Sequence, residues 1–427
     1  MHLHRARASG SAHDATVAAG AHLPALDGVR GIAILLVMAL HFFSTAGAAH
    51  SGGADAAERI VLKFTGTGWV GVDLFFVLSG FLITGILFDG RGGRGYFRNF
   101  YARRVLRIVP LYYAFLALAF IVLPLATRGS WVVPIADQAW YWAYLPDPRS
   151  LTGGGPANAF HGATGHIWSL MIEEQFYLLL PAVVALPLSR RQLMFACAVC
   201  AVTAFVIRCG IVLSGTNPAA AYRLMPARMD ALAIGGFVAL AARSPHDLAL
   251  LRRWGRPALV AAAALLCALV VRSGGLPPAG PWVQTIGYTA IAVASAVLII
   301  SAIVPLQPGR RRVLLFRPLR ALSRYAYGLY IIHVPLVLLL GWRAREAGGL
   351  PAVAGSYLPA ALAFSAVAFA ATLALAMLSW HLFEQRFLAM RWRFTATAVT
   401  PATARIGRRQ STGDADTAPG EEHRRAA

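Results

Sequence analysis

The first long apolar stretch of the chain carries two ionisable residues, Arg30 and His41. They are eleven residues apart, so in an α-helix both would lie on one face, about 16 Å apart along the axis. Ionisable groups in membrane spans are costly and suggest a functional site or a buried pair. A phosphate-binding guanidinium at the membrane boundary and a deeper imidazole would suit a long donor such as acyl-CoA. The alternative is a snorkelling arginine and a structural, hydrogen-bonded histidine.

A second cationic site follows in the basic strip Tyr101–Pro110, where Arg104 and Arg107 share a helix face. Guanidinium groups bind phosphate through paired donors. We expect this strip on the cytoplasmic side, where CoA is found. The alternative is positive-inside anchoring alone, which does not by itself explain two arginines that run directly into a span.

Two adjacent carboxylates, Glu173 and Glu174, enter another apolar helix near its outer end. A carboxylate at this position could orient His41 or accept a proton from an acceptor hydroxyl. The alternative is an interfacial ion pair with Arg223 or Arg228.

Other polar residues in apolar segments raise the same choice between chemistry and structure. Asp73 is either a site residue or half of an ion pair, and His333 is either a second functional histidine or a hydrogen-bonded core residue. Residue type alone favours the core role for His333. Cys197 and Cys200 form a CxxC pair, but no second pair follows. We therefore expect them to pack as small apolar residues, without a metal site or disulfide framework.

Membrane-spanning helices have to position these residues. The chain is 58% hydrophobic and 13% charged, whereas soluble domains carry about 25% charged residues. It contains many apolar runs of the roughly 20 residues that a span needs. The sequence predicts an all-α, polytopic transmembrane helix bundle of ten spans. Their approximate bounds are 29–45, 68–87, 108–126, 167–188, 193–213, 229–242, 257–271, 284–304, 325–342 and 359–382.

The basic residues predict the orientation of this bundle. The net charge is +21, and Lys63 is the only lysine among 39 basic residues. With a cytoplasmic N-terminus, 28 basic residues fall in inside segments and nine in outside segments, as the positive-inside rule requires. We therefore expect both termini in the cytoplasm. The arginines form short clusters between apolar runs, which argues against nucleic-acid binding.

The predicted organisation is a cytoplasmic segment over 1–22, a transmembrane domain over 23–388 and a disordered basic tail over 389–427. The longest outside connection, 128–165, is rich in aromatic residues. It suits an interfacial or re-entrant segment, or a rim on which a sugar ring stacks. Two N-terminal arginines and the apolar run 32–43 also fit a cleavable signal peptide, which is the competing interpretation of the N-terminus.

Seven stretches follow one another in a recognisable order along the transmembrane domain. They are Leu26–Ala33 followed by His41, Gly71–Thr84, Phe100–Pro110, Trp168–Tyr177, Arg228–Leu232, Tyr327–His333 and Phe383–Glu384. Together they resemble the motifs of the acyltransferase-3 family. The resemblance implies a bacterial inner-membrane enzyme with about ten helices. Members acylate, most often acetylate, hydroxyls on glycans, lipid-linked sugars or secondary metabolites.

The family motifs fall on named residues of this chain. The Arg–ten residues–His motif matches Arg30 and His41, the Arg–two residues–Arg motif matches Arg104 and Arg107, and the central glutamate matches Glu173. The resemblance implies acyl-CoA, with acetyl-CoA expected, as a co-substrate and no permanently bound cofactor. Some relatives carry an extra soluble hydrolase-like domain, and the short tail of this chain resembles the stand-alone kind. We therefore expect peptidoglycan less than other glycans as the direct acceptor.

Within the same stretches, Asp73, Glu174, Arg228 and His333 are candidates for substrate binding. The expected partners are acyl-CoA, a glycan or glycolipid acceptor and the lipid bilayer, while the oligomeric state stays open.

The resulting hypothesis gives each catalytic residue a role. The three motif arginines would hold the donor phosphates, His41 would act as general base, and Glu173 would orient or charge it. Direct transfer and a transient acyl-histidine intermediate both fit. A proton-coupled transporter or flippase is the main alternative, since intramembrane His, Glu and Asp also serve transport. A membrane sensor or scaffold is a third alternative, for which the short connections leave little room.

Overall fold

The chain is almost entirely helical in the computed structural model. The structure describes residues 23–49, 55–126, 135–148, 151, 164–304 and 308–394. The predicted segment 1–22, most of the predicted tail and much of the aromatic connection lie outside these residues. Within the described ranges the only β-type pairing is an isolated bridge between Val353 and Ser356, so the predicted all-α class is confirmed.

Sixteen α-helices make up the described fold, several of them joined end to end by short 3₁₀ or π turns. They are α1 (Pro24–Gly47), α2 (Ala56–Thr65), α3 (Val70–Asp89), α4 (Tyr96–Ala117), α5 (Leu123–Ala126), α6 (Ile135–Trp142), α7 (Trp168–Ala185), α8 (Arg190–Leu213), α9 (Pro218–Arg223), α10 (Met225–Ala241), α11 (Pro245–Ser273), α12 (Tyr288–Ile303), α13 (Pro308–Leu314), α14 (Arg317–Glu346), α15 (Leu358–Ser379) and α16 (Gln385–Ala389).

Ten of the described helical segments are long and apolar enough to cross a membrane, which confirms the predicted number of spans. The observed segments extend well beyond several predicted ones. The third begins at Tyr96 rather than 108, and the seventh begins at Pro245 rather than 257. Hydropathy marks only the apolar centre of a span, whereas the backbone hydrogen bonds of the helix continue into its polar ends. As a result the basic strip that carries Arg104 and Arg107 is itself helical.

Close contact between α3 and α10 forms the centre of the bundle. A side-chain carbon at Gly80 would collide with the backbone carbonyl of Leu232, and one at Gly235 would collide with that of Val77. Glycine at these positions therefore lets two helix backbones approach, as is common in membrane helix packing. By contrast, α8 and α11 bury few of their residues, and their exposed apolar side chains suit contact with lipid.

Two arginine–aspartate pairs are buried inside this centre. Arg228 donates to Asp73 at 2.7 Å and so joins α10 to α3, while Arg208 donates to Asp230 at 2.7 Å and joins α8 to α10. All four side chains are at most 2% exposed. Charged groups inside a membrane protein are expected to pair with one another. Arg228 therefore pairs with Asp73 rather than with the carboxylates of α7.

Cys197, Cys200, Cys209 and Cys267 are free thiols in this structure. Among the described residues, no three His, Cys, Asp or Glu side chains are arranged to hold a metal ion.

Candidate active site

A cavity of about 230 Å³ lies among α1, α3, α4, α7 and α14, and we call it the inner cavity. Apolar side chains of α3, including Val72, Phe75 and Phe76, form part of its wall. Its polar lining groups are Arg30, Ser79, Arg104, Arg107, Ser169, Glu173, Tyr177, Tyr327, Tyr330 and Arg391. The fold thus brings the three motif arginines and the central glutamate to one enclosed space, although they come from three separate helices.

A second cavity of about 570 Å³ adjoins the first, and we call it the basic vestibule. The two cavities share Arg30, Arg107, Tyr327 and Arg391 in their linings. The remaining vestibule side chains come mainly from the first turns of α14 and from the end of the tenth span. The shared residues make the vestibule the approach to the inner cavity.

The motif arginines differ in the hydrogen bonds and ion pairs that their guanidinium groups make within the protein. Arg30 donates to Ser323 at 3.1 Å and lies 3.6 Å from Asp27. Arg104 and Arg107, by contrast, make no side-chain hydrogen bond or ion pair with any residue in the described part of the chain. Two such cations lining an enclosed cavity form a ready anion site, because guanidinium groups prefer planar oxyanions such as phosphate.

Aromatic rings hold the Arg104 side chain in place. Its guanidinium carbon lies 5.8 Å from the ring centre of Phe100 and 5.5 Å from that of Tyr177, which is within cation–π range. Phe100 is on the same helix one turn earlier, and Tyr177 is on α7. The donors of Arg104 stay available while its position is fixed.

Glu173 lines the inner cavity and is bound by hydroxyl groups. It accepts hydrogen bonds from Ser79 at 2.9 Å and from Tyr177 at 3.3 Å. The described contacts of His41 do not include Glu173, so the predicted orienting contact between these two residues is not present in this structure. Glu173 instead belongs to the charged wall that also carries the arginines.

His41 is oriented by another histidine. Its Nδ1 lies 2.9 Å from the carbonyl oxygen of Val37 and 3.3 Å from Nε2 of His333. Nδ1 of His333 lies 2.7 Å from the carbonyl oxygen of Tyr330 and 3.1 Å from that of Leu329. Carbonyl oxygens only accept, so each neutral ring carries its proton on Nδ1. Nε2 of His41 is then left with a free lone pair, as a general base requires.

A third histidine, His166, extends this pair. Its ring centre lies 5.2 Å from that of His333. The Tyr330 hydroxyl donates to the carbonyl oxygen of His166 at 2.7 Å, so the Ser169 hydroxyl is the donor in its 2.5 Å bond to Tyr330. Sequence reasoning did not select His166, Ser169 or Tyr330. Ser169 and Tyr330 lie within the two motifs that supply Glu173 and His333, and His166 lies two residues before the first of them.

Tyr330 connects the cavity with the histidines. It lines the inner cavity, and its ring centre lies 5.5 Å from that of His333. His41 lies outside the linings of both cavities. Tyr330, which is hydrogen-bonded to Ser169, therefore contacts both the arginine-lined cavity and the histidine that binds the candidate base.

The other predicted binding residues lie away from the cavity lining. Asp73 and Arg228 bind each other, and the Arg228 guanidinium also lies 4.0 Å from the ring centre of Tyr288. Glu174 is half-buried one residue after Glu173 and outside the lining of both cavities. Of these predicted residues, His333 makes direct contact with His41.

Several known proteins are similar to this chain. A putative peptidoglycan O-acetyltransferase of Bacillus subtilis, YrhL, is 27% identical over 74% of this chain and 49% of its own length. The peptidoglycan O-acetyltransferase OatA of Listeria monocytogenes is 23% identical over 74% of this chain and 50% of its own length. The O-acetyltransferase OatA of Staphylococcus aureus is 28% identical over 40% of this chain and 26% of its own length.

The chain thus spans about half the length of the first two relatives. No solved structure matched the chain significantly. The acyltransferase-3 family model, described as "Acyltransferase domain", matches residues 23–384. That match covers all ten described membrane-spanning segments except the last residues of the tenth. The chain therefore belongs to the acyltransferase-3 family, as the order of its motifs predicts.

Proposed function

We propose that this protein is an O-acetyltransferase of the bacterial inner membrane, with acetyl-CoA as donor. The acceptor is a hydroxyl of a cell-envelope glycan, a lipid-linked sugar or a glycosylated metabolite. One observation carries the proposal: Arg104 and Arg107, which have no ion pair with another described residue, line a cavity that Tyr330 also lines, and the Tyr330 ring is next to the His41–His333 pair. Anion binding and general-base chemistry are thereby adjacent in one membrane domain.

The donor side follows from charge. The phosphates of acetyl-CoA carry negative charge that guanidinium groups bind through paired hydrogen bonds. Arg30 and Arg107 line both cavities and Arg104 lines the inner cavity, so a donor that enters from the vestibule passes these three arginines. The thioester would then extend toward Ser169 and Tyr330. Displacement of the Tyr330 hydroxyl from Ser169 would open the way to His41.

The acceptor side follows from the tautomer of His41. Its Nε2 takes the proton of the acceptor hydroxyl as the oxygen attacks the thioester carbonyl. The carbon–sulfur bond breaks, and His41 returns the proton to the leaving CoA thiolate. During the step the His41 imidazolium donates from Nδ1 to Nε2 of His333, which keeps the ring oriented. An acyl-histidine intermediate at the same Nε2 is the alternative route.

The relatives support the acceptor class. Two of them are named as peptidoglycan O-acetyltransferases, one of these as a putative one. From these names we extend to this chain acetylation of an envelope glycan, without assigning the polymer. Mass spectrometry of envelope glycans and small metabolites from cells with and without the gene would identify the acceptor.

The test uses inverted membrane vesicles that contain each variant, with radiolabelled acetyl-CoA and the endogenous acceptor. His41→Ala should reduce transfer by about 10²–10⁴-fold, the usual contribution of general-base catalysis, while donor binding is kept. Arg30→Ala should mainly weaken donor binding. His246→Ala is a matched control, since this exposed histidine begins α11 outside both cavities. Normal transfer by His41→Ala would refute the mechanism and favour the transporter alternative.

A further inference from the structure

The basic vestibule is lined by more arginines than the inner cavity. Beyond the motif residues Arg30 and Arg107, it is lined by four further arginines: Arg317, Arg320, Arg324 and Arg391, of which Arg391 also lines the inner cavity. Its acidic lining residues are Asp27 and Glu384. Both acids are already occupied, because Asp27 accepts from Ser323 at 3.1 Å and Glu384 accepts from Ser379 at 3.0 Å. The vestibule is therefore strongly cationic.

The four further arginines have no counterion in the described part of the chain. None of them makes a side-chain ion pair or hydrogen bond with another described residue, and Nε of Arg320 is buried without a partner. Basic residues that only anchor a loop to anionic lipid would lie on an exposed rim. Arg317 and Arg324 are exposed, whereas Arg320 and Arg391 are partly buried, and all four line a cavity of about 570 Å³. This arrangement suits a ligand with several phosphate groups.

Two aromatic side chains complete the vestibule. Tyr325 and Trp380 both line it, with ring centres 6.0 Å apart and planes at 87°. Both rings are partly exposed, so each is accessible to a flat aromatic ligand. Trp380 begins the π turn Trp380–Glu384, a local irregularity that is frequent at functional sites. Base stacking on aromatic side chains is a common way to bind nucleotides.

The position of the vestibule fits one end of an elongated ligand. Along α14, Arg320 and Arg324 line the vestibule, Tyr327 lines both cavities, and Tyr330 lines the inner cavity. Arg320 and Tyr330 are ten residues apart, which is about 15 Å along the helix. A ligand whose phosphates lie in the vestibule can therefore extend an arm into the inner cavity.

We infer that the basic vestibule binds the 3′-phosphorylated adenosine diphosphate end of the donor. Arg317, Arg320, Arg324 and Arg391 bind its phosphates together with Arg30 and Arg107, which line both cavities, and the purine stacks on Trp380 or Tyr325. This inference rests on the proposed function, because it assigns a subsite for the donor of that reaction. It adds that the enzyme selects a nucleotide-bearing thioester over donors that lack the nucleotide.

The first experiment measures binding of adenosine 3′,5′-bisphosphate to the purified full chain, with inorganic pyrophosphate as a second probe. Arg320→Ala and Arg391→Ala should each weaken binding of the nucleotide about tenfold or more. Trp380→Leu should weaken binding of the nucleotide but leave binding of pyrophosphate unchanged. Arg386→Ala is the matched control, since this exposed arginine lies outside both cavity linings. Arg320→Lys keeps the positive charge and should retain part of the binding. Retained binding would show that the loss in Arg320→Ala comes from the missing cation rather than from misfolding.

The second experiment compares acetyl-CoA with acetyl-pantetheine as donors. In Arg320→Ala and Arg324→Ala, kcat/KM should fall about tenfold more for acetyl-CoA than for acetyl-pantetheine. If the wild type uses both donors equally well and does not bind the nucleotide, the proposed subsite is wrong. The acetyltransferase function would still stand in that case. Arginine-dependent nucleotide binding without transfer from either donor would instead refute the proposed function. Displacement of the nucleotide by phosphatidylglycerol vesicles with equal affinity would identify a lipid headgroup site and overturn the inference.

Discussion

Replacing His333 tests whether His41 works as one member of a pair. His333 is fully buried, and its Nε2 lies 3.3 Å from Nδ1 of His41. His333→Ala removes this acceptor, while His41 keeps its 2.9 Å bond to the Val37 carbonyl oxygen. A typical hydrogen bond contributes about 0.5–1.5 kcal/mol net. At about 1.36 kcal/mol per factor of ten, kcat should fall about 2- to 13-fold. That loss is far smaller than the one expected for His41→Ala.

A double-mutant cycle separates this effect from simple damage to the core. Because His333 acts through His41, the double variant His41→Ala/His333→Ala should be no slower than His41→Ala alone. His333→Gln places an amide oxygen close to the position of Nε2 and should recover part of the rate. His333→Asn, which is too short to reach His41, should not. Vesicle assays at saturating acetyl-CoA measure kcat directly. Fully multiplicative losses in the double variant, or equal rates for Gln and Asn, would refute the pair.

Three further expectations can be measured separately. Arg104→Lys and Arg107→Lys keep the charge but lose the planar guanidinium, so both should raise the KM for acetyl-CoA in vesicles, and unchanged kinetics would leave only an anchoring role. Asp73→Ala or Arg228→Ala should destabilise the fold by about 3–5 kcal/mol, because each leaves a buried charge unpaired. The measurement is thermal unfolding of each variant in detergent, and wild-type stability would contradict the prediction. Reporter fusions should place both termini in the cytoplasm and the 128–165 connection outside, and an external C-terminus would disprove the topology.

The helical framework could be predicted from the sequence because apolar run length is a direct requirement of the bilayer. The same reasoning placed Arg30 and His41 on one helix, and both lie on α1. It could not locate the start of α4 at Tyr96, because a helix with a polar end leaves no hydropathy signal there. It also could not find the partner of His41, because His333 is 292 residues away in the sequence and meets it only through packing.

The role of the charged residues was harder to predict than their presence. Asp73 was equally consistent with a site and with an ion pair, and only the packing of α3 on α10 shows Arg228 as its partner. Arg320 and Arg324 contributed to the positive-inside count, where any basic residue has the same weight. Their alignment on one side of α14, facing a cavity, depends on how the tenth span packs beside them.

The Asp73–Arg228 bond also constrains how the protein is made. Its two residues are 155 positions apart, and Asp73 lies in the first turn of α3. At a synthesis rate of about 5–20 residues per second, α3 emerges roughly 8–30 seconds before its cation. During that interval the Asp73 carboxylate lacks its cation, and an unpaired charge costs at most about 2.5–3.5 kcal/mol, the value for the centre of the bilayer. Until α10 is in place, α3 therefore carries a carboxylate whose partner in the folded protein has not yet been made.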